Sequence, residues 1–316
     1  MSVIITGSLA YDHILKFPGQ FEEHIVPENI ANLSISFLVE DMKKMRGGCA
    51  SNIAYSLAML GVKPTIMATA GEDFEEFDKW LKTRNVDTSL INIIKGEYTA
   101  CCFITTDEKH NQITGFYTGA MAKAGKLSFK DIDYKDIEIA IISPNDPIAM
   151  KKYCKECREL DIPFIFDPGH NIPRLTGEEL LDCMTGALYT IMNDYELSMV
   201  IKRTGKDKEA LLKLSKTIIA TKGAKGSEIT TQTETIHIPP AKSLKESDPT
   251  GAGDAYRSAL IAGHIRGFKI EEIGKLASVV SVYVVEQDAP AQHNFTIPEL
   301  KIRYEDNYGK NTFPLN

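Results

Sequence analysis

Short, strongly apolar runs alternate with amphipathic stretches along almost the whole of this 316-residue chain. The runs 3–8 (VIITGS), 64–70 (PTIMATA), 137–144 (IEIAIISP), 163–168 (PFIFDP), 187–193 (ALYTIMN) and 217–223 (TIIATKG) are nearly continuous in apolar character. That pattern belongs to strands buried on both faces, as in a parallel sheet covered by helices on each side. Between them, 52–60, 74–83, 148–160, 208–214 and 254–266 carry apolar residues at helical spacing. The alternation predicts an α/β fold, a three-layer domain with a mostly parallel central sheet flanked by helices. In such sheets ligands bind beyond the carboxyl ends of the strands, so the turns after each run are where chemistry is expected.

Two stretches break the pattern. Residues 12–37 and 98–118 alternate and are rich in β-branched and aromatic side chains, and the second reads as a hairpin turning at DEKHNQ. The expectation is one catalytic domain over 1–316 with a small β-sheet lid built from these two insertions. Such a sheet exposes an apolar face carrying some of Ile35, Phe37, Phe103, Ile113 and Phe116. Exposed apolar patches and open strand edges invite a second subunit, which predicts a homodimer through the lids.

The charge balance narrows the partners. Lys and Arg number 36 against 43 Asp and Glu, a formal charge of −7, so no basic field exists to hold nucleic acid or an anionic membrane. No window reaches eighteen uninterrupted apolar residues, and the start, MSVIITGSLAYDH, lacks a basic segment followed by a long apolar one. The six cysteines are scattered, which together with that start predicts reduced thiols and a cytoplasmic protein. Cys154 and Cys157 have C-x-x-C spacing but lie in a helical pattern without two further ligands nearby, so they read as structural thiols.

The strongest local signal is DPTGAGDAYRSALIAG, 248–263. Pro249 forces a turn, Gly251 and Gly253 let the backbone bend and approach a ligand, and a helical face follows at once. A glycine turn feeding a helix start presents free N–H groups at the positive end of a dipole, which suits a phosphate or a developing oxyanion. Asp254 stands in that first turn, where its carboxylate can take a proton from an attacking hydroxyl; a lone aspartate there would read as an ordinary helix-terminus residue. The third glycine of G-x-G-x-x-G is missing, and no G-x-x-x-x-G-K-[ST] occurs, which excludes a first-strand dinucleotide fingerprint and a P-loop.

The segment 248–263 closely resembles the C-terminal signature of the ribokinase-like (PfkB) carbohydrate and nucleoside kinases. A second signature of that family, paired glycines with an asparagine four residues after the second, is matched by RGGCASNIAYSLAMLG, 46–61. The resemblance implies that Asp254 is the general base and that Gly251, Ala252 and Gly253 form the anion hole. It implies sugar binding by Asp12, Gly47, Gly48 and Asn52. Asn193 and Glu196 of NDYE fit an element implicated in phosphate and Mg²⁺ binding, with Glu196 reaching the metal through water. Thr221, Lys222, Gly223 and Gly226 resemble the ATP loop, and Asp248 with Thr250 marks where some relatives hold a monovalent cation, hence K⁺. Taken alone, Asp12 reads as a strand-end turn residue and Asn193 as a helix start.

Within the family, GSLAYDHILKFPGQF, LSISFLVEDM, FYTGAM and NDYE are similar to the bacterial adenosine-kinase-like branch. That likeness implies a nucleoside pocket lined by Ser8, Ser36 and Phe116, although an aromatic in a β lid is as often core. The chain departs from the branch at Cys101-Cys102, and its DPGHNIPR, 167–174, departs from the D-P-N-x-R form, which puts His170 and Asn171 where selectivity is set. The implied activity is ATP-dependent phosphorylation of a nucleoside 5′-hydroxyl, adenosine foremost. A sugar kinase acting on ribose and a non-catalytic regulator on the same fold are the alternatives.

Overall fold

The computed structural model describes residues 2–25, 34–245, 247, 249–287 and 291–315. The elements run in chain order β1 (Ser2–Thr6), β2 (Ala10–Lys16), β3 (Asp41–Gly47), α1 (Cys49–Met59), β4 (Pro64–Ala70), α2 (Glu75–Lys82) and β5 (Asp87–Ile93). Next come β6 (Ala100–Thr106), β7 (Gln112–Tyr117), β8 (Ile137–Ile142), α3 (Pro147–Glu159), β9 (Phe164–Phe166), α4 (Gly177–Met184), β10 (Tyr189–Asn193), α5 (Asp194–Thr204) and α6 (Lys208–Leu212). The last are β11 (Thr217–Thr221), β12 (Ser227–Thr231), β13 (Thr235–Ile238), α7 (Ala252–Ile265), α8 (Ile270–Val285) and α9 (Ile297–Tyr308).

Nine strands form the large sheet in the order β13-β12-β11-β10-β9-β8-β1-β4-β5. From β11 to β5 all neighbours are parallel, and β12 and β13 add an antiparallel edge. The near-continuous apolar runs follow from burial on both faces. Ile139 and Ile141 of β8 pack into the core beneath α1, α7 and α8, while Ala140 and Ile142 pack into the other beneath α3, α4 and α5. Cys154 and Cys157 lie fully buried in that second core as free thiols. Among the described residues no helix is long and apolar enough to cross a membrane.

A second sheet has the order β3-β2-β6-β7. The 98–118 segment supplies β6 and β7, and the hairpin is stitched down by Asp107, which accepts the N–H groups of Asn111 and Phe21. The 12–37 segment supplies only most of β2, and its residues 26–33 lie outside the described residues. The partner strand is β3, DMKKMRG, just beyond that segment. Its charged composition hides it from a hydrophobicity reading, as befits an edge strand protected by lysines. The expected single apolar face is also divided by register. Phe116 shares a cross-strand row with Cys102 and Asp12, whereas Phe103 aligns with His13, and Ile113 aligns with Thr105 and Leu15, on the opposite face.

The small sheet is joined to the large domain at Gly47-Gly48, where β3 becomes α1. Gly48 has φ +94°, and a β-carbon there would run into the carbonyl oxygen of Ser8. Only glycine fits the position. Gly48→Ala should therefore destabilise the protein by roughly 1–3 kcal/mol from backbone strain alone. Denaturant unfolding checks this, and a loss below about 0.5 kcal/mol, the usual range for a neutral surface change, would show that the turn relaxes freely.

Candidate active site

The helix α7 starts behind Gly251, which sits in the left-handed region at φ +86°. Ala252 N–H is taken by the Pro249 carbonyl at 3.1 Å, and Gly251, Gly253 and Asp254 bring their N–H groups to the same first turn. Donors gathered at a helix start form a candidate anion-binding cradle. Ser281 of α8 donates to the Ala252 carbonyl at 2.9 Å and fixes this turn in place.

Asn52, near the start of α1, donates through Nδ2 to Asp254 Oδ2 at 2.9 Å, joining residues 202 positions apart. Burial pushes the Asp254 carboxyl up to about 6; Arg257 and the Asn52 hydrogen bond pull it down, and the charge of Asp167 adds to the rise. The other amide atom, Asn52 Oδ1, is buried without a hydrogen-bond partner. Buried acceptors are seldom left without a partner, which marks Asn52 as a candidate ligand contact.

Asp12 of β2 lies against this turn, because a β-carbon on Gly47 would strike Asp12 Oδ2. Burial raises the Asp12 carboxyl above the usual range. The row Met45, Asp12, Cys102, Phe116 runs across the small sheet from there, with Phe116 half exposed at its end. Ser8 Oγ accepts the Cys49 N–H at 3.1 Å, so its side chain is engaged at the start of α1. Ser36 is exposed in the stretch leading to β3.

Other expected residues sit at the carboxyl ends of the neighbouring parallel strands. Asn193 and Glu196 form a capping box at the start of α5: the Asn193 side chain accepts the Glu196 N–H and Glu196 Oε2 accepts the Asn193 N–H, both at 2.8 Å. Burial raises the Glu196 carboxyl, with Asp167 adding to the rise and Arg257 opposing it. Thr221 ends β11, and Lys222, Gly223 and Gly226 form a tight turn closed by the Lys222 N–H to Gly226 carbonyl bond at 2.8 Å. The Lys222 ammonium is paired with Glu228 at 2.8 Å. Asp248, one half of the expected potassium site, lies outside the described residues.

Asn171 is placed differently from its expected role as a substrate contact. It is fully buried, its amide donates to the Asn145 carbonyl at 2.6 Å, and its Oδ1 accepts from Arg174 at 3.3 Å. Its hydrogen bonds hold the loop after β9 together. The residue before it, His170, is exposed.

Two residues at the centre escaped the sequence reading. Asp167, at the end of β9, binds Arg257 of α7 with two oxygens: Oδ2 accepts from Nε at 2.5 Å and Oδ1 from Nη2 at 2.6 Å. The available signals were Asp167 at the end of a buried apolar run and Arg257 inside an otherwise small and apolar helix.

A family model for the pfkB family of carbohydrate kinases matches residues 10–294. The chain therefore belongs to that family, and it is a phosphotransferase acting on a hydroxyl group. A nucleoside kinase of Methanocaldococcus jannaschii is 30% identical over 82% of this chain and 85% of its own length. The structure of the Burkholderia thailandensis nucleoside kinase in complex with inosine superposes with a TM-score of 0.87 at 34% identity, covering 98% of both chains. A ribokinase of Thermotoga maritima shares the fold at 19% identity and a TM-score of 0.80, over 96% of this chain and 99% of its own.

Folding raises the Asp254 pKa to about 6, so the folded protein holds that proton more tightly than the unfolded chain. Stability from the protonated carboxyl is present below the unfolded value near 4 and is lost as pH climbs through about 6. Asp254→Asn removes the penalty of the buried charge. At pH 8 the variant should be more stable than the parent by about 1–3 kcal/mol, and the advantage should vanish near pH 4. Equal stability of the two proteins at pH 8 would contradict a destabilised carboxylate.

Proposed function

We propose that this chain is an ATP-dependent nucleoside kinase that phosphorylates the 5′-hydroxyl, with adenosine as the preferred acceptor. The observation that carries the reading is the Asn52–Asp254 hydrogen bond, which brings the two glycine signatures to one point. The similarity to the Burkholderia thailandensis enzyme, solved with inosine and in a second structure with ADP and inosine, supports a nucleoside acceptor and an adenine nucleotide donor.

Phosphoryl transfer needs alignment and charge neutralisation more than covalent chemistry. In this reading Asp254 accepts the 5′-hydroxyl proton as the attack on the γ-phosphate begins. Asn52 holds Oδ2 of the base, leaving Oδ1 for the hydroxyl. The N–H groups of Gly251, Gly253 and Asp254 receive the charge on the moving phosphoryl group. Asp12, the Gly47-Gly48 turn and Asn52 Oδ1 hold the ribose diol. Phe116, on the face of the small sheet that carries Asp12, offers a surface on which a base can stack.

The 221–226 turn lies on the ATP side. Glu196 would hold Mg²⁺, because Oε1 lies outside the capping box and is a hard oxygen donor of the kind Mg²⁺ takes, and the metal would supply neutralisation of phosphate charge. Potassium beside Thr250 and Asp248 belongs to the same reading. The small sheet acts as a lid that excludes water.

The test is a panel of nucleosides and sugars with ATP, scored by ADP release. Adenosine or another purine nucleoside should show a higher kcat/KM than ribose, fructose or fructose phosphate. A win for ribose or a hexose would overturn the nucleoside reading and leave the family intact. On the best acceptor, Asp254→Asn should lower kcat by about 10²–10⁴-fold; near-normal turnover would remove Asp254 from the role.

The lid reading extends to a homodimer through the face opposite Asp12, where Met42, Phe103 and Ile113 are exposed. Sedimentation of the unliganded protein should give a dimer that Phe103→Asp dissociates. A monomer at micromolar concentration would sink the assembly.

A further inference from the structure

Arg257 is a buried cation that the mechanism above does not use. It lies on α7 three residues after Asp254 and four after Gly253, so all three share one side of the helix. Long side chains on a helix lean back toward its start, which lays the guanidinium over the first turn. Gly253 records that placement: its φ is not in the left-handed region, yet a β-carbon there would come within 2.8 Å of Arg257 Nη1. The glycine makes room for the guanidinium rather than for a bend.

Asp167 sets the other end of the contact. Its N–H donates to the Ile142 carbonyl at 2.9 Å, and the Pro168-Gly169 turn that follows has Gly169 at φ +46° packed on Pro144. The carboxylate therefore leaves a rigid strand end, and its two oxygens take Nε and Nη2 of Arg257 in a fork. The side chains of both residues are nearly excluded from solvent, at 9% and 2% exposure. Burying both ions costs several kcal/mol each in lost hydration, so stability alone is a poor account of the pair.

Resting on the kinase reading, we infer that Asp167 and Arg257 form a clamp that holds the first turn of α7, and Asp254 with it, in working position. Arg257 is a positioning residue. It faces carboxylates from three elements: Asp167 after β9, Glu196 of α5 and Asp254 on its own helix. Among the described residues Cys49 of α1 is a further titratable neighbour of Asp254, and burial pushes its thiol up so that it stays neutral. His170, whose ring lies partly in open solvent, is held below the ordinary histidine range by the desolvation of its inner side, with Asp167 opposing the shift. The charge on Asp254 is thus tuned by one cation that favours it and one anion that opposes it.

The two halves of the clamp should shift the pH profile in opposite directions, which a purely structural pair would not do. The assay uses the best acceptor from the panel and follows kcat/KM against pH. In Arg257→Gln the acid limb should move up by about 0.5–1 pH unit, because the carboxylate loses its cation. Its kcat should fall by roughly 10–10²-fold, the scale of a small misplacement at a reacting group, with the nucleoside KM little changed. In Asp167→Asn the limb should move down, because Arg257 then acts on Asp254 undivided. Arg257→Lys should restore the limb but not kcat, since a lysine keeps the charge and loses the fork.

Unshifted limbs in folded variants, or shifts of the same sign, would overturn the clamp. Should Arg257→Gln fail to fold, the direction of the Asp167→Asn shift decides the matter alone. A failure of the kinase reading shows separately, as the absence of ADP release by the parent protein with every acceptor of the panel.

Discussion

The hydrogen bond from Asn52 to Asp254 depends on most of the molecule. It exists only because α1 and α7 lie side by side on one face of the large sheet, with their starts at the same level. The start of α1 is held at the carboxyl end of β1, where Ser8 accepts the Cys49 N–H on Oγ and the Ala50 N–H on its carbonyl. Neither helix directly follows a parallel strand of that sheet, since α1 leaves β3 of the small sheet and α7 comes after the antiparallel edge strand β13, so it is their packing against each other that brings both starts to the rim of the large sheet. The site is this rim, narrowed by the small sheet.

The small sheet depends on the same contact in turn. Its strand β3 runs without a loop through Gly47 and Gly48 into α1, so the residue under Asp12 and the residue beside Asp254 are five positions apart on one rigid path.

Much of this was legible in the amino-acid order, and the reasons are physical. Six parallel strands were visible because burial on both faces leaves continuous apolar runs. The two glycine turns before α1 and α7 were visible because glycine at a helix start is costly without a purpose. β3 was invisible because an edge strand carries its information in backbone pairing, while its side chains are lysines and methionines facing water. Asn171 was assigned to substrate because the sequence shows an amide and not where its hydrogen bonds go. Arg257 and Asp167 lie 90 positions apart, and nothing in either neighbourhood announces the other.

Gly253 carries a consequence for how such a chain can change over time. Most glycines in phosphate-binding turns are fixed by backbone angle or by the ligand, so their tolerance is decided locally. Here the space above one glycine is filled by a side chain from the next turn of its own helix. The two positions are therefore coupled as a lock and its occupant: a larger residue at 253 becomes admissible only once 257 has shortened, and the shortened 257 leaves Asp167 as a buried anion without its counter-charge. A path between homologues that differ here has to cross three positions together, which makes this corner of the site slow to drift even where the substrate pocket around it is free to vary.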